Sequence, residues 1–482
     1  MMKGGVMERR EFLKIMGQVS VLASTSSLMS RKGFAQPEKI TLAGTGDCII
    51  ASRVSKRREK SFLDLVDIIR SADCLWGNCE ITFMDIREGY PGPKGFDMHV
   101  TCEPWGADEL AWCGFDMLGL ANNHTKDYGN EGLLSTIRNL RRVGIEYAGA
   151  GIDLQEASRP RFIDTPGGRV GQVCCSSSAV PWFAAAPSAP HANGRPGVNR
   201  LGVKTVVDLE SDSYENIKSI RDTLQKLLAG EAYKAIEEAT TETKQKASEG
   251  MTIPGKKGEV ETIDFQGMTF KKGELTDVQT EALEVDVQKI TDAIKIAKRN
   301  ARLVIMAIHA HEMYKNTEAP AKFLQPFART CIDAGADVFF GTGPHLLRGI
   351  EMYKGKPIFY SLGNFFFQYQ AVKQIAYETY RAARLEGTTL DPSKFTDKYE
   401  PIFKEKKFWE SVVPFITYTN NDVTEIKLYP IELGWKEPRH YRGVPGLTAM
   451  TEGEEIIDRL RKLSEPYDTG VSFRDGVGYV TP

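Results

Sequence analysis

Net charge is almost absent from this sequence: 62 basic residues stand against 64 acidic ones, leaving −2. A chain so balanced has no global field to draw it onto nucleic acid or an anionic membrane. Long apolar runs are missing too. Beyond the first 35 residues nothing approaches the roughly 18 uncharged apolar positions that a membrane span needs. The eight cysteines form no CxxC pair. Cys48, Cys79 and Cys331 lie in or beside short apolar segments and read as small buried thiols. Export would allow some cysteines to pair, but spacing does not give a connectivity. Histidine is scarce, with seven in the chain: His99, His124, His191, His309, His311, His345 and His440. Any imidazole-based site is drawn from that short set. There is no internal repeat.

The 482 residues allow one large or two moderate domains, at about 100–200 residues each. The start of the chain is set apart. Glu8-Arg9-Arg10-Glu11-Phe12-Leu13-Lys14 precedes a mildly apolar stretch, and Gly33-Phe34-Ala35 offers small residues before a cut at Gln36. This has the form of a twin-arginine signal peptide over residues 1–35. The expectation is export by the twin-arginine machinery to the periplasm or beyond, with no transmembrane anchor after processing. That route carries folded proteins, often with a cofactor already loaded.

The remainder alternates short apolar runs with helical periodicities. Residues 39–46, KITLAGTG, read as a first strand ending at Asp47. Phe62, Leu65, Val66 and Ile69 have helical spacing. Strands are expected at 73–76, 116–121, 169–177 and 302–310, with helices around Leu110, Leu133–Ile137–Leu140, Ile290 and Phe327. Alternation of this kind argues an α/β class with helices covering the sheet. Residues 333–367 concentrate the pattern. ADVFF ends in Gly341-Thr342-Gly343-Pro344-His345, a helix start is expected next, and KPIFYSL ends in Gly363-Asn364. Two stretches interrupt the alternation, at about 204–280 and 368–410. The first is charged and helical and then resembles a hairpin around Gln266-Gly267; the second is aromatic and basic. Both insertions are expected to border the mouth of the strand-end site and set substrate size, since the second follows directly on Gly363-Asn364. Residues 415–433 read as two further strands, and Ile456, Leu460 and Leu463 mark a last helix.

Five turns at strand ends share one chemistry: Gly46-Asp47, Asn78 with Glu80, Asn123-His124, His309 with His311, and His345. Carboxylate, amide and imidazole gathered at one sheet edge are what a divalent ion needs. Such an ion acidifies water and neutralises charge on a phosphoryl or acyl oxygen. Each pair alone is common, and a strand-end asparagine often only caps the next helix. Five in α/β order form a pattern.

The set GD, GNCE, ANNHTKDYG, the His309 segment and GADVFFGTGPH…IEMYKGKPIFYSLGNF resembles the CapA-type poly-γ-glutamate capsule synthesis proteins. The resemblance runs from about residue 39 to at least 367, and it extends through Arg442-Gly443-Val444-Pro445 to the last helix. It implies the fold of the calcineurin-like metallophosphoesterases, a four-layered α/β sandwich, here with helical and hairpin insertions. It implies that Asp47 binds a first ion, Glu80 bridges two, and Asn123 binds the second. His124 is then the proton donor and Asp127 its orienting partner, with His309 and His345 completing the ligands. The ion expected is Mn, Zn or Fe.

Three positions depart from the family pattern. Ile49 stands where general phosphoesterases carry a histidine. Thr342-Gly343 replaces the histidine expected just before His345. His309 is followed by Ala310-His311-Glu312, where many members have Trp-Gly-Glu. The missing histidine leaves the second ion short of a ligand, so the expectation is one tight ion and a second weak or absent one; His311 could compensate. Asn78, His311, Glu312, Thr342, Arg348, Asn364 and Arg442 are candidates for supporting the centre or touching substrate. Arg381, Arg384 and Arg439 join Arg348 and Arg442 as candidate carboxylate contacts, since the arginine fork suits that geometry.

Two functions follow. One is an exported metal-dependent hydrolase acting on a phosphoester or amide bond, with an anionic polymer or a small phosphoester or peptide as substrate and a role in capsule or cell-envelope polymer synthesis. The other is a non-catalytic accessory protein that grips such a polymer. A purely structural envelope protein is a third, lesser reading.

Overall fold

The computed structural model describes residues 39–92, 98–228, 262–274, 276–368, 371–382, 392 and 403–481. The expected leader lies outside them, as do much of the 204–280 stretch and most of 383–402.

Two sheets carry the fold. Along the larger, the strands run Val471–Arg474, Val477–Val480, Asp422–Glu432, Glu410–Thr419, Lys39–Ile49, Cys74–Asn78, Met117–Gly119 and Glu146–Ala148. The smaller runs Ile350–Tyr353, Lys356–Phe359, Val338–Thr342, Leu303–His309, Gly168–Ser176 and Arg161–Thr165. Residue alternation shows how they stack. Leu303, Ile305 and Ala307 join Ile40, Leu42, Trp76 and Met117 of the other sheet in one buried cluster. Their neighbours Val304, Met306 and Ile308 face away, onto Ile290, Ile294, Phe327 and Cys331. The side-chain period of two in a strand sends alternate residues to opposite faces, so a run apolar at every position is a strand covered on both. The larger sheet does the same: Leu75 and Leu118 pack with Phe62, Leu65, Leu110, Leu133 and Ile137. Three apolar clusters therefore separate four layers: helix, sheet, sheet, helix. Each Leu, Ile or Phe buried there contributes about 1.5–3 kcal/mol against its exposed state. The stack is an α/β sandwich.

The helices stand close to the expected spacings, at Lys60–Arg70, Trp105–Cys113, Gly129–Val143, Glu284–Asn300, Leu324–Asp333 and Met450–Ser464. One expectation fails. No helix starts after His345; residues 346–349 lead into the strand Ile350–Tyr353, which pairs antiparallel with Lys356–Phe359. Lys354 and Gly355 both take positive φ, 52° and 73°, the geometry of a two-residue hairpin turn whose twist suits the strands. A second hairpin, Val471–Arg474 with Val477–Val480, was also not anticipated.

Part of the 204–280 stretch forms its own small sheet, with strand order Thr262–Phe265, Met268–Lys272, Val203–Leu209 and Asp277–Ala282, beside the helix Ser211–Leu228. The hairpin around Gln266-Gly267 is present as expected. All eight cysteines are buried and free. Among the described residues, no helix is long and apolar enough to cross a membrane.

The parallel strands end together. Asp47 is level with Asn78, and Asn78 with Gly119. On the other sheet, His309 is level with both Thr342 and Ser176. Both carboxyl edges thus face the same end of the sandwich, and the turns that follow them meet there.

Candidate metal centre

Glu80 is the middle of the site. It is fully buried, and neither carboxylate oxygen has a hydrogen-bond partner. Its neighbours are imidazoles: Oε1 lies 3.3 Å from His309 Nε2 and 3.9 Å from His124 Nε2, and Oε2 lies 3.9 Å from His345 Nδ1. A buried carboxylate lacking donors is costly unless a cation compensates it.

Two groups of possible ligands share Glu80. One is Asp47, Glu80 and His345; the other is Glu80, His309 and His311. In the second, His309 Nε2 is 2.8 Å from Asn123 Oδ1 and 3.1 Å from His311 Nε2. Donor atoms of Glu80, Asn123 and His311 therefore all lie within 3.3 Å of His309 Nε2. In the first, His345 Nδ1 lies 3.5 Å from Asp47 Oδ2 and 2.9 Å from Asn364 Oδ1. Neither group contains a thiol. Oxygen and imidazole donors of this kind fit Mn, Fe or Zn. The structure thus brings together all five residues expected as ligands, and adds His311.

The local backbone explains the placement. Asp47 N donates to Gly363 O at 2.9 Å, so the end of the first strand lies against the Gly363-Asn364 turn. A Cβ on Gly46 would collide with that same carbonyl oxygen, which requires glycine there. Asp47 Oδ1 accepts from Asn78 Nδ2 at 2.7 Å, and Oδ2 from Gly343 N at 3.1 Å. Asn78 Nδ2 also lies 3.1 Å from His309 Nδ1, and Thr342 Oγ1 is equally close to that nitrogen. Thr342 thus orients His309, whose other nitrogen faces the donors. His345 is held at φ 59°, a left-handed conformation uncommon for a residue with a side chain.

Charges are coupled across the centre. Burial acts to raise the Asp47 carboxyl, but hydrogen bonds to and the charges of His309 and His345 hold it well below the usual carboxylate range. Burial acts to lower both imidazoliums. The charges of Glu80 and Asp47 overcome it, pushing His309 up to about 10 and His345 up to about 9. Without an ion, protons occupy the site.

His124 stands beside these groups. Its Nδ1 is 2.7 Å from Asp127 Oδ2, which also accepts from Val100 N at 2.8 Å. That contact aims Nε2 at Glu80. Asn122, which sequence reasoning passed over, accepts from His124 N and donates to Cys79 O, tying the two turns together. Ser177 and Ser178 were missed as well; both donate to Glu312 Oε2, and Ser178 Oγ accepts from His311 N at 2.6 Å. The one signal for them was a serine run directly after a strand. Glu312 supports His311 from that network.

A cavity of about 320 Å³ opens from the centre. Asn123, His124, His311 and His345 line one part of it, and Arg348 with Ile49, Met98, Met313, Phe367, Phe403 and Phe408 line the rest. Gln368, Phe403 and Phe408, which line the cavity, fall in the second insertion. Among the described residues, the 204–280 stretch contributes no lining residue. It bonds instead to residues close in sequence to the lining Met313 and Thr317, since Asp277 accepts from Tyr314 Oη and Lys322 Nζ. Arg442 is removed from the centre by two aromatic layers: it lies over Trp409, which packs on Phe367. Arg442 is not a lining residue of this cavity. Arg381 is exposed, and Arg384 lies outside the described residues.

The sequence model of the family described as bacterial capsule synthesis protein PGA_cap matches residues 41–369. The chain belongs to the PGA_cap family. The match spans every ligand candidate, from Asp47 to His345, and ends where the second insertion begins. A relative named y4sH from Sinorhizobium fredii is 34% identical over 454 residues, covering 91% of this chain and 92% of that protein. The PGA biosynthesis protein CapA of Bacillus subtilis is 27% identical over 388 residues, 78% of this chain and 77% of its own. The capsule biosynthesis protein CapA of Bacillus anthracis is 24% identical over 337 residues, 68% and 60% respectively.

Proposed function

We propose that this PGA_cap protein is a metal-dependent hydrolase that cleaves a phosphoester or amide bond in an anionic envelope polymer or a fragment of one. The observation that carries the reading is Glu80, buried between two sets of imidazoles with both oxygens free of hydrogen bonds. Asp47, Glu80 and His345 would hold one divalent ion, and Glu80, Asn123, His309 and His311 a second. The expectation of a weak or absent second ion rested on Thr342 as a poor ligand; His311 would supply the imidazole that Thr342 does not. The ions, when bound, supply Lewis acidity toward water and toward a phosphoryl or acyl oxygen.

The chain's own residues manage the proton. Asp127 accepts from His124 Nδ1 and fixes the ring. Nε2 is the nitrogen left to pass a proton to a leaving oxygen or nitrogen in the cavity that His124 lines. The apolar walls limit water around that transfer.

The names of the Bacillus relatives, a capsule biosynthesis protein and a PGA biosynthesis protein, support polymer synthesis as the setting. The twin-arginine form of residues 1–35 supports export to the periplasm or beyond. The test is hydrolysis of bis(para-nitrophenyl) phosphate and of γ-glutamyl para-nitroanilide by protein loaded with Mn, Zn or Fe. Turnover of either that is abolished by chelator supports the reading. Full metal loading with no turnover of any ester or amide points instead to a polymer-gripping accessory protein.

A further inference from the structure

Arg348 is the one arginine or lysine on the cavity wall, among the described residues, and it is not used by the chemistry above. It is 1% exposed. Nε donates to Thr317 O at 3.1 Å, while Nη1 and Nη2 have no hydrogen-bond partner. No carboxylate forms an ion pair with it among the described residues. Glu312, whose charge reaches it, is engaged by Ser177 and Ser178. Burial pushes the guanidinium down to about 10, so it remains charged at neutral pH. A buried, charged fork with two open nitrogens is costly unless something fills it.

The rest of the wall narrows what that something is. Apart from Arg348, Asn123, the imidazoles, Thr317 and Gln368, the lining is apolar, from Met98, Met313, Phe367 and Phe403 among others. A fitting ligand carries an anionic group at one end, a short apolar stem, and the reacting bond at the other. With Nε already occupied, the donors left unpartnered are the end-on pair Nη1 and Nη2, both buried. Two parallel N–H groups match the two oxygens of a planar carboxylate.

We propose that Arg348 is the specificity-determining residue that holds a carboxylate of the substrate, remote from the bond that reacts. This deepens the hydrolase reading and rests on it for the position of the reacting bond. The fork itself is tested by binding alone.

The experiment compares para-carboxyphenyl phosphate with phenyl phosphate on metal-loaded protein, by calorimetry and by turnover. A third compound with phosphate at both ends separates a carboxylate site from a general oxyanion site. The wild-type protein is expected to bind the carboxylated compound about tenfold or more tightly than phenyl phosphate, and more tightly than the bisphosphate. Arg348→Gln should erase that preference with metal content unchanged. Arg348→Lys, which keeps the charge but not the fork, should retain only part of it; this variant decides the matter if the Gln protein does not fold. Equal binding of the carboxylated and plain compounds by wild type, preference for the bisphosphate, or an undiminished preference in either variant overturns the proposal. A preference seen in binding with no turnover sinks the hydrolase reading and leaves this one standing; turnover without preference does the reverse.

Discussion

Nε2 of His311 lies 3.1 Å from Nε2 of His309. The two residues are separated by one position, and the strand that carries the first ends there. Their side chains still share a side because Ser178 Oγ holds the His311 amide and the Glu312 carboxylate holds both serines. Two imidazole nitrogens this close would repel if both were protonated. An ion between them and Glu80 removes that conflict.

The role of His311 is therefore measurable. His311→Ala should lower the bound metal from about two equivalents to about one, with the fold retained by circular dichroism. Loss of both ions, or of neither, would remove His311 from the ligand set.

Metal loading should release protons. Both His309 and His345 are raised above the unfolded histidine value of 6.5, to about 10 and about 9. At pH 7.5 they are protonated in the ion-free protein and must be neutral to bind metal. Calorimetry in buffers of different ionisation enthalpy should show on the order of two protons released. The same shifts fix the sign for stability. Their contribution to the ion-free protein is fully present below pH 6.5 and is lost as pH rises through 9 to 10. Melting of chelated protein should fall across that window, and a flat profile there contradicts the coupling.

His124 should separate chemistry from metal binding. His124→Ala is predicted to reduce turnover by roughly 10²-fold or more while metal content stays that of wild type. A variant with full activity would show that another group moves the proton.

Gly46 tests the geometry that places Asp47. A methyl there meets the Gly363 carbonyl, and overpacking against backbone costs about 1–3 kcal/mol or more. Gly46→Ala should lower the melting temperature and weaken metal binding together. Unchanged values would mean that the turn moves freely.

Much of this arrangement was legible in the sequence. Asp47, Glu80, Asn123 and His345 each follow an apolar run closed by a Gly or Asn turn, His309 ends such a run itself, and parallel strands bring such ends to one edge. The position of His311 was only partly legible, because its direction depends on serines more than a hundred residues away. Arg348 was named as a carboxylate contact, but its burial was not foreseen, since that depends on which segments cover it. Thr317, which holds its Nε, belongs to a short hairpin, Met313–Tyr314 with Asn316–Pro320, whose turn at Lys315 takes φ 66°. Strands that short carry no periodicity to read. Arg442 belonged to the resembling stretch, yet its side chain stacks on Trp409 instead of reaching the cavity, a choice made by tertiary packing.

Export has its own test. Replacing Arg9 and Arg10 with Lys should leave precursor in the cytoplasm. Normal appearance of mature protein in the periplasm would show a different route.

The central claim is that Glu80 joins two ions. The most direct measurement is the metal content of the purified full-length protein, by plasma mass spectrometry, beside that of Glu80→Gln. The account predicts about two equivalents of Mn, Fe or Zn in the wild type and loss of both in the variant, since each group then lacks its shared carboxylate. A wild-type protein that takes up no divalent ion, or a Glu80→Gln protein that keeps two, would contradict it.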